Sequence, residues 1–356
     1  MISWAAIFGR STKEFMTGNA NFTFDDVAIL SVEAVDAPEV VTSEDIDARL
    51  ASFYERTETR PGLLESLAGI AQRRQWPEGV SFTDAAAMAG EKAIETSGID
   101  RSRIGLMIDT SVCRARLEPS SAVSVHDELG LPSTAMNFDL SNACLGFMNA
   151  MHLAGSLLEN GQLDYVLIVD GEGTREIHEN TIARLLDESS TAADLFSNFA
   201  TLTLGSGAAA MVLGRHSENP GSHAVKGGYF RAATVHQDLC VGSLENMRTD
   251  TRGLLEAGTE LVKRSWDEIQ DNERWRHDMK YYVLHQVSQV HTQAVIDTLG
   301  IDSERVPRTF PHYGNMGPAA VPVTLAAVQE SLTPGDGVLL AGIGSGLNSS
   351  FIELQW

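Results

Sequence analysis

The chain has 356 residues, 43% hydrophobic and 21% charged, a globular composition long enough for a large core or for two halves of one fold. Its formal net charge of -22 at pH 7 repels polyanions, which excludes bulk association with nucleic acid or an anionic membrane. The three cysteines, Cys113, Cys144 and Cys240, are too few for a disulfide scaffold and form no paired metal-binding pattern, so a reducing cytoplasm is the expected compartment.

The first segment, "MISWAAIFGRSTKEFMTG", has a short apolar stretch but no basic region before it and no clear cleavage site. It reads as an extension over 1–23, either a loose tail or a segment that packs on a partner subunit. "VAILSVEAV" is a predicted strand. "TSEDIDARLASFY" is a helix start with Thr42 or Ser43 as cap and acids in the first turn. "TDAAAMAGEKAIETSGI" is a predicted helix with Thr83 capping and Gly98 near its end. "IGLMIDTS" is a buried strand. "NACLGFMNAMHLAGSLLENG" passes from small polar residues into an apolar helix, with Cys144 at the junction. "DYVLIVDGEG" is a continuous apolar run, like a strand covered on both faces, and "GAAAMVLG" reads as another.

After a polar break near Ser217–His223 the pattern resumes. A helix over about Thr251–Ile269 is followed by strand "YYVLHQ", helix "VHTQAVIDTLG", and strands "VLLAGIGSG" and "SSFIELQW". Strand–helix alternation predicts α/β layers. There is a coarse echo between halves of 24–218 and 219–356. The first leads to Cys144 at a helix start, the second to His285 and Asn315 before helices.

A helix N-terminus offers unpaired N–H groups and a positive dipole end, and cysteine pKa values fall below about 8.5 there. That predicts a reactive Cys144, although buried inert cysteines are also common. His285 at a strand end and Asn315 in a glycine turn each have ordinary structural readings too. "GIGSG" (342–346) does not fit a nucleotide-binding glycine motif, but it can present a backbone N–H to an oxyanion.

Taken together, Cys144 in "NACLGF", His285 in "HQVS", Asn315 in "YGNMGPAA" and the closing "GIGSGLNSS" resemble the thiolase superfamily, in its 3-oxoacyl-ACP synthase III branch. The resemblance runs from about Phe24 to Trp356. It implies a five-layered α-β-α-β-α fold of two similar halves and a Cys-His-Asn triad. "DTSVCRARLEPSSA", "DYVLIVDGEG", "LTLGSGAAAMV" and "MRTDTRGLL" narrow it to the OleA-type condensing enzymes, which join two long acyl-CoA chains head to head in olefin and β-lactone pathways. In that group a glutamate in an "LEPS" segment is the base, reaching the active site of the other subunit. Glu118 stands in that segment here. Read alone, it is a solvated acid before a proline.

The resemblance implies an acyl-Cys144 intermediate, with the backbone N–H groups of Cys144 and Ser345 as oxyanion donors. His285 and Asn315 would hold the second thioester oxygen while Glu118 takes the α-proton. No metal, flavin or nicotinamide cofactor is implied; CoA thioesters are the substrates. The second cysteine that an ordinary thiolase uses as base is absent from the last glycine-rich turn, where Ser345, Ser349 and Ser350 stand. Cys113 and Cys240 read as structural.

Arg73, Arg74 and Trp76 in "GIAQRRQW" are candidates to pair with CoA phosphates and stack on adenine, against the alternative of a solvated basic turn. Arg248 and Arg252 are weaker candidates. The expected partners are long-chain acyl-CoA molecules, and a second subunit in a homodimer or a heterodimer with a paralogue. No stable membrane insertion is expected. Three other readings stay open: a decarboxylative 3-oxoacyl-ACP synthase III, the catalytic subunit of a heterodimeric β-lactone-pathway synthase, and a catalytically silent partner subunit.

Overall fold

The computed structural model describes residues 21–243, 246–269 and 273–356. The extension expected at 1–23 therefore lies outside the described residues, apart from its last three. These form a short strand, Asn21–Thr23, paired antiparallel with residues 227–229.

Nine longer strands run through one mixed sheet: β1 Val27–Asp36, β2 Ile104–Asp109, β3 Met136–Asp139, β4 Tyr165–Glu172, β5 Gly207–Arg215, β6 His223–Ala232, β7 Met279–Leu284, β8 Gly337–Gly344 and β9 Asn348–Gln355. Their order is β7-β8-β9-β6-β1-β5-β4-β2-β3. Within the sheet, the two halves meet where Ala28 and Ile29 of β1 pair with Ala224 and His223 of β6. The division expected at 218/219 falls in the turn between β5 and β6. Six helices matter for the site: α1 Phe82–Ser97, α2 Ser121–Glu128, α3 Gly146–Glu159, α4 Thr251–Asp267, α5 Gln289–Leu299 and α6 Ala320–Val328.

Strand periodicity creates the layers. On β4, Val166 and Ile168 face a central core, while Tyr165, Leu167 and Val169 face the opposite side against α1 and its alanines. On β8, Val338 and Leu340 join the same central core, while Leu339 and Ala341 face a third cluster that holds Val262 of α4 and Ile296 of α5. The central core contains Met148 and Met151 of α3 and Val321 and Leu325 of α6. The order is therefore helix, one half of the sheet, paired central helices, the other half, helix, the five-layered α-β-α-β-α arrangement that the resemblance implies. Among the described residues no helix is long and apolar enough to cross a membrane.

Local signals were read well, with small shifts. Thr42 caps the first helix in a reciprocal capping box. Ser81, not Thr83, caps α1, because its hydroxyl reaches the backbone N–H of Asp84 at 3.1 Å. Gly98 ends α1 in the left-handed conformation at φ 66°.

Candidate active site

Cys144 sits in the tight turn between β3 and α3. The N–H of Leu145 donates to the Asn142 carbonyl at 3.0 Å and that of Gly146 to Ala143 at 3.2 Å. Ala143 holds φ 45°, a left-handed conformation that costs a non-glycine residue about 1–3 kcal/mol. Gly146 is required: an added β-carbon would lie 2.9 Å from the Thr110 carbonyl oxygen. The turn is thus wedged against the end of β2, and Cys144 is left partly exposed.

The charge state of Cys144 differs from expectation. Burial pushes the thiol up to about 12, and Cys240, Glu172 and Asp170 nearby add repulsion. Desolvation of the thiolate outweighs the helix terminus, so the free enzyme carries a thiol.

His285 follows β7 and is buried, its backbone N–H donating to Ala341 of β8 at 2.8 Å. Burial pushes its imidazole down to about 4, with His291 adding to the effect. It is therefore neutral, and its Nδ1 has no partner among the described residues. The neighbouring Gln286 accepts the N–H of Thr309 at 3.1 Å, which ties this strand end to the loop leading to Asn315.

Asn315 is held by its own backbone. Its N–H donates to the Thr203 carbonyl, and its carbonyl accepts from Gly205, both at 2.9 Å. Gly314 and Gly317 take φ 69° and 55°, as the glycine turn required. Gly205 cannot be replaced, since an added β-carbon would lie 1.7 Å from the Tyr313 carbonyl oxygen. The side-chain Oδ1 accepts from the Gly317 N–H at 3.0 Å, so the amide nitrogen is the group left to donate.

The end of β8 is the meeting point of the halves. A β-carbon added at Gly342 would strike Leu145 at 2.4 Å, and one at Gly344 would lie 3.4 Å from the Cys144 nitrogen. The partly exposed Ser345 follows directly. Cys144, His285 and Ser345 are thus gathered around one strand end. Glu172, whose charge adds to the rise of the Cys144 pKa, lies 3.7 Å from a β-carbon built on Gly317, two residues after Asn315. Beside the Cys144 turn opens a cavity of about 440 Å³, lined by Asn142, Phe230 and Arg231 among others.

Glu118 is exposed. It stands on an exposed loop between β2 and α2, next to Leu117, which is 91% exposed. The CoA candidates need correction. Residues 72–75 form a strand paired with 39–42, which sequence reading missed. Alternation turns Arg73 inward, fully buried, where it donates to Ser43 Oγ and the Leu202 carbonyl, both at 3.0 Å. Trp76 is also buried, its indole N–H on the Glu172 carbonyl at 2.9 Å. Neither is presented to a phosphate or an adenine ring. Arg74 is partly exposed, its guanidinium 5.8 Å from the Tyr313 ring centre. Arg252 pairs with Glu256 at 2.9 Å, and Arg248 lines an open cleft of about 520 Å³ with Phe196 and Asp250.

Sequence reading missed a set of buried acids: Asp109, Asp170 and Glu172. Asp170 accepts from Thr110 Oγ1 at 2.6 Å, and Glu172 from the Val112 N–H at 2.6 Å. Burial raises Glu172 to about 7. The signal was present in "DYVLIVDGEG": carboxylates at the end of a strand covered on both faces demand partners.

The chain matches the family descriptions of 3-oxoacyl-[acyl-carrier-protein] synthase III over residues 138–227 and of its C-terminal part over 269–356. It is 41% identical over 336 residues to an acyl-CoA:acyl-CoA alkyltransferase of Xanthomonas campestris, covering 94% of this chain and 99% of that protein. A protein of the same name from Shewanella oneidensis is 35% identical over 335 residues, covering 90% and 96%. A crystal structure of a cysteine-to-serine variant of Xanthomonas campestris OleA, with bound lauric acid and lauroyl-CoA, superposes with a TM-score of 0.91 at 41% identity, covering 94% of this chain and 100% of that one.

Proposed function

This chain belongs to the acyl-CoA:acyl-CoA alkyltransferase family, the OleA type of thiolase-fold acyltransferase, and we propose that Cys144, His285, Asn315, Ser345 and Glu118 carry its reaction. The reaction is a non-decarboxylative Claisen condensation of two fatty acyl-CoA molecules. The observation that supports these residue roles is the convergence of the Cys144 turn, the His285 strand end and the 342–346 turn on the end of β8.

The thiol of Cys144 attacks the first acyl-CoA. The neutral His285 accepts its proton and returns it to the departing CoA thiolate, so acyl-Cys144 and free CoA result. The N–H groups of Cys144 and Ser345 hold the oxyanion; one such donor is worth about 2.7–4 kcal/mol of barrier. A second acyl-CoA then enters. His285 and the Asn315 amide nitrogen donate to its thioester oxygen while the Glu118 carboxylate removes the α-proton. The enolate carbon attacks the acyl-Cys144 carbonyl, the cysteine sulfur leaves and regains a proton, and a 2-alkyl-3-oxoacyl-CoA is released. This route draws on no metal or redox cofactor.

The exposure of Glu118 favours its acting in a second subunit, in a homodimer or a heterodimer with a paralogue. Val112 and Leu117, exposed apolar side chains on the same loop, fit an interface there. The experiment is product analysis by mass spectrometry from one long-chain acyl-CoA, with and without a malonyl donor. Condensed product from acyl-CoA alone is expected. Product formed only with the malonyl donor would replace this reading with a decarboxylative one.

A further inference from the structure

The loop that carries Glu118 is tied down at both roots. At its start, Glu172 at the end of β4 accepts three hydrogen bonds. The Val112 N–H reaches Oε1 at 2.6 Å, and the Cys113 N–H and Sγ–H reach Oε2 at 3.3 and 2.9 Å. Cys113 Sγ also accepts the Gly173 N–H at 3.3 Å. At the loop's end, Asp139 accepts the N–H groups of Ser121 and Ala122 at 3.0 and 2.8 Å, and pairs with Arg114 at 3.4 Å. Arg114 in turn donates to the Cys113 carbonyl at 2.8 Å. Between these roots, residues 115–119 are exposed.

A loop with an exposed tip has no core of its own to fix its direction. Its direction is set where it leaves the sheet. At the root nearer the sheet's β4 end, the carboxylate of Glu172 binds two successive loop N–H groups and a thiol at once, as Asp139 does for two N–H groups and Arg114 at the other root.

We infer that Glu172, with Cys113 as its thiol partner, is a positioning residue for carbon–carbon bond formation: it aims the loop that delivers Glu118 and takes no part in acyl transfer to Cys144. The inference rests on Glu118 being the base. An ionised Glu172 accepts all three donors, whereas a protonated one gives up acceptor capacity. Burial brings its titration to about 7. The charged and titratable groups around it are Cys113 and Arg114 on the loop, Asp170 on its own strand, Asp109 at the end of β2 and Cys144 before α3. The Gly317 turn adds none.

Three measurements on the full-length protein test this. Acyl loading of Cys144 is followed by intact mass, condensation by product formation, and both across pH 5.5–8.5. Glu172→Gln, which removes one negative charge near Cys144, is expected to load at least as fast as wild type and still to lose about 100-fold in condensation, the scale of a roughly 1 Å misplacement. The wild-type ratio of condensation to loading is expected to fall as pH drops through about 7, and Glu172→Gln to lack that step. Cys113→Ser, which keeps a donor, is expected to retain more condensation than Cys113→Ala. Equal loss of loading and condensation, or full condensation by Glu172→Gln, overturns the inference. So does identical behaviour of the two Cys113 variants, which stands as a test even where Glu172→Gln fails to fold. Full condensation by Glu118→Gln would instead overturn the base assignment itself.

Discussion

Oδ1 of Asn315 accepts a hydrogen bond from the backbone N–H of Gly317 at 3.0 Å, and this contact decides which end of the amide is free to act. Since the oxygen is engaged, the nitrogen is the donor available to a substrate oxygen.

Asn315→Asp keeps the contact to Gly317 but replaces that donor with a carboxylate oxygen. Condensation is expected to fall about 10²–10³-fold, the scale for loss of an oxyanion donor. Loading of Cys144 should change far less. Single-turnover kinetics of the two half-reactions check this, and an equal loss in both would remove Asn315 from the second half.

Cys144→Ala should abolish the acyl adduct, read by peptide mass spectrometry after incubation with a long-chain acyl-CoA. The raised pKa adds a sharper expectation. Alkylation of wild-type Cys144 by iodoacetamide should rise with pH through at least pH 9, because the thiolate is scarce below about 12. A plateau near neutrality would show a thiolate in the resting enzyme.

Glu118→Gln keeps shape and removes basicity. It should still load Cys144 while condensation falls roughly 10²–10⁴-fold. Mixing Cys144→Ala with Glu118→Gln subunits should restore part of the activity if the base crosses a subunit boundary, since one mixed site then holds both groups. No restoration would place the base in its own subunit.

Stability should decline in mild acid. His178, His285 and His291 are pushed down to about 3, 4 and 4, chiefly by burial. Unfolded, a histidine titrates near 6.5, so below that pH the unfolded state binds more protons. The stabilisation is fully present above about 6.5 and is lost as pH falls. Each histidine accounts for about 2 kcal/mol between pH 6.5 and 5. Thermal unfolding from pH 7.5 to 5 should show a falling Tm, and His178→Gln should flatten the slope. An unchanged slope in that variant would assign the effect elsewhere.

Much of the fold was legible because its signals are local. Strand and helix periods, the Thr42 capping box and Gly98 are set by residues a few positions apart. Cys144, His285 and Asn315 each have an ordinary structural reading alone, and it is the resemblance carried by "NACLGF", "HQVS" and "YGNMGPAA" together that singles them out.

What only tertiary structure decided concerns surroundings. "GIAQRRQW" looks like a basic surface turn, yet pairing with 39–42 turns Arg73 inward onto Ser43 and Leu202. A helix start promises a thiolate at Cys144, yet burial desolvates it, with Cys240, Glu172 and Asp170 adding repulsion, and leaves a thiol. Glu172 is an ordinary acid in the sequence and becomes the anchor of a distant loop, Val112 lying 60 positions before it. Sequence determines periodicity, caps and turns, since these depend on near neighbours. Burial, protonation and partnership depend on which distant segments close around a group, and that is settled only when the layers pack.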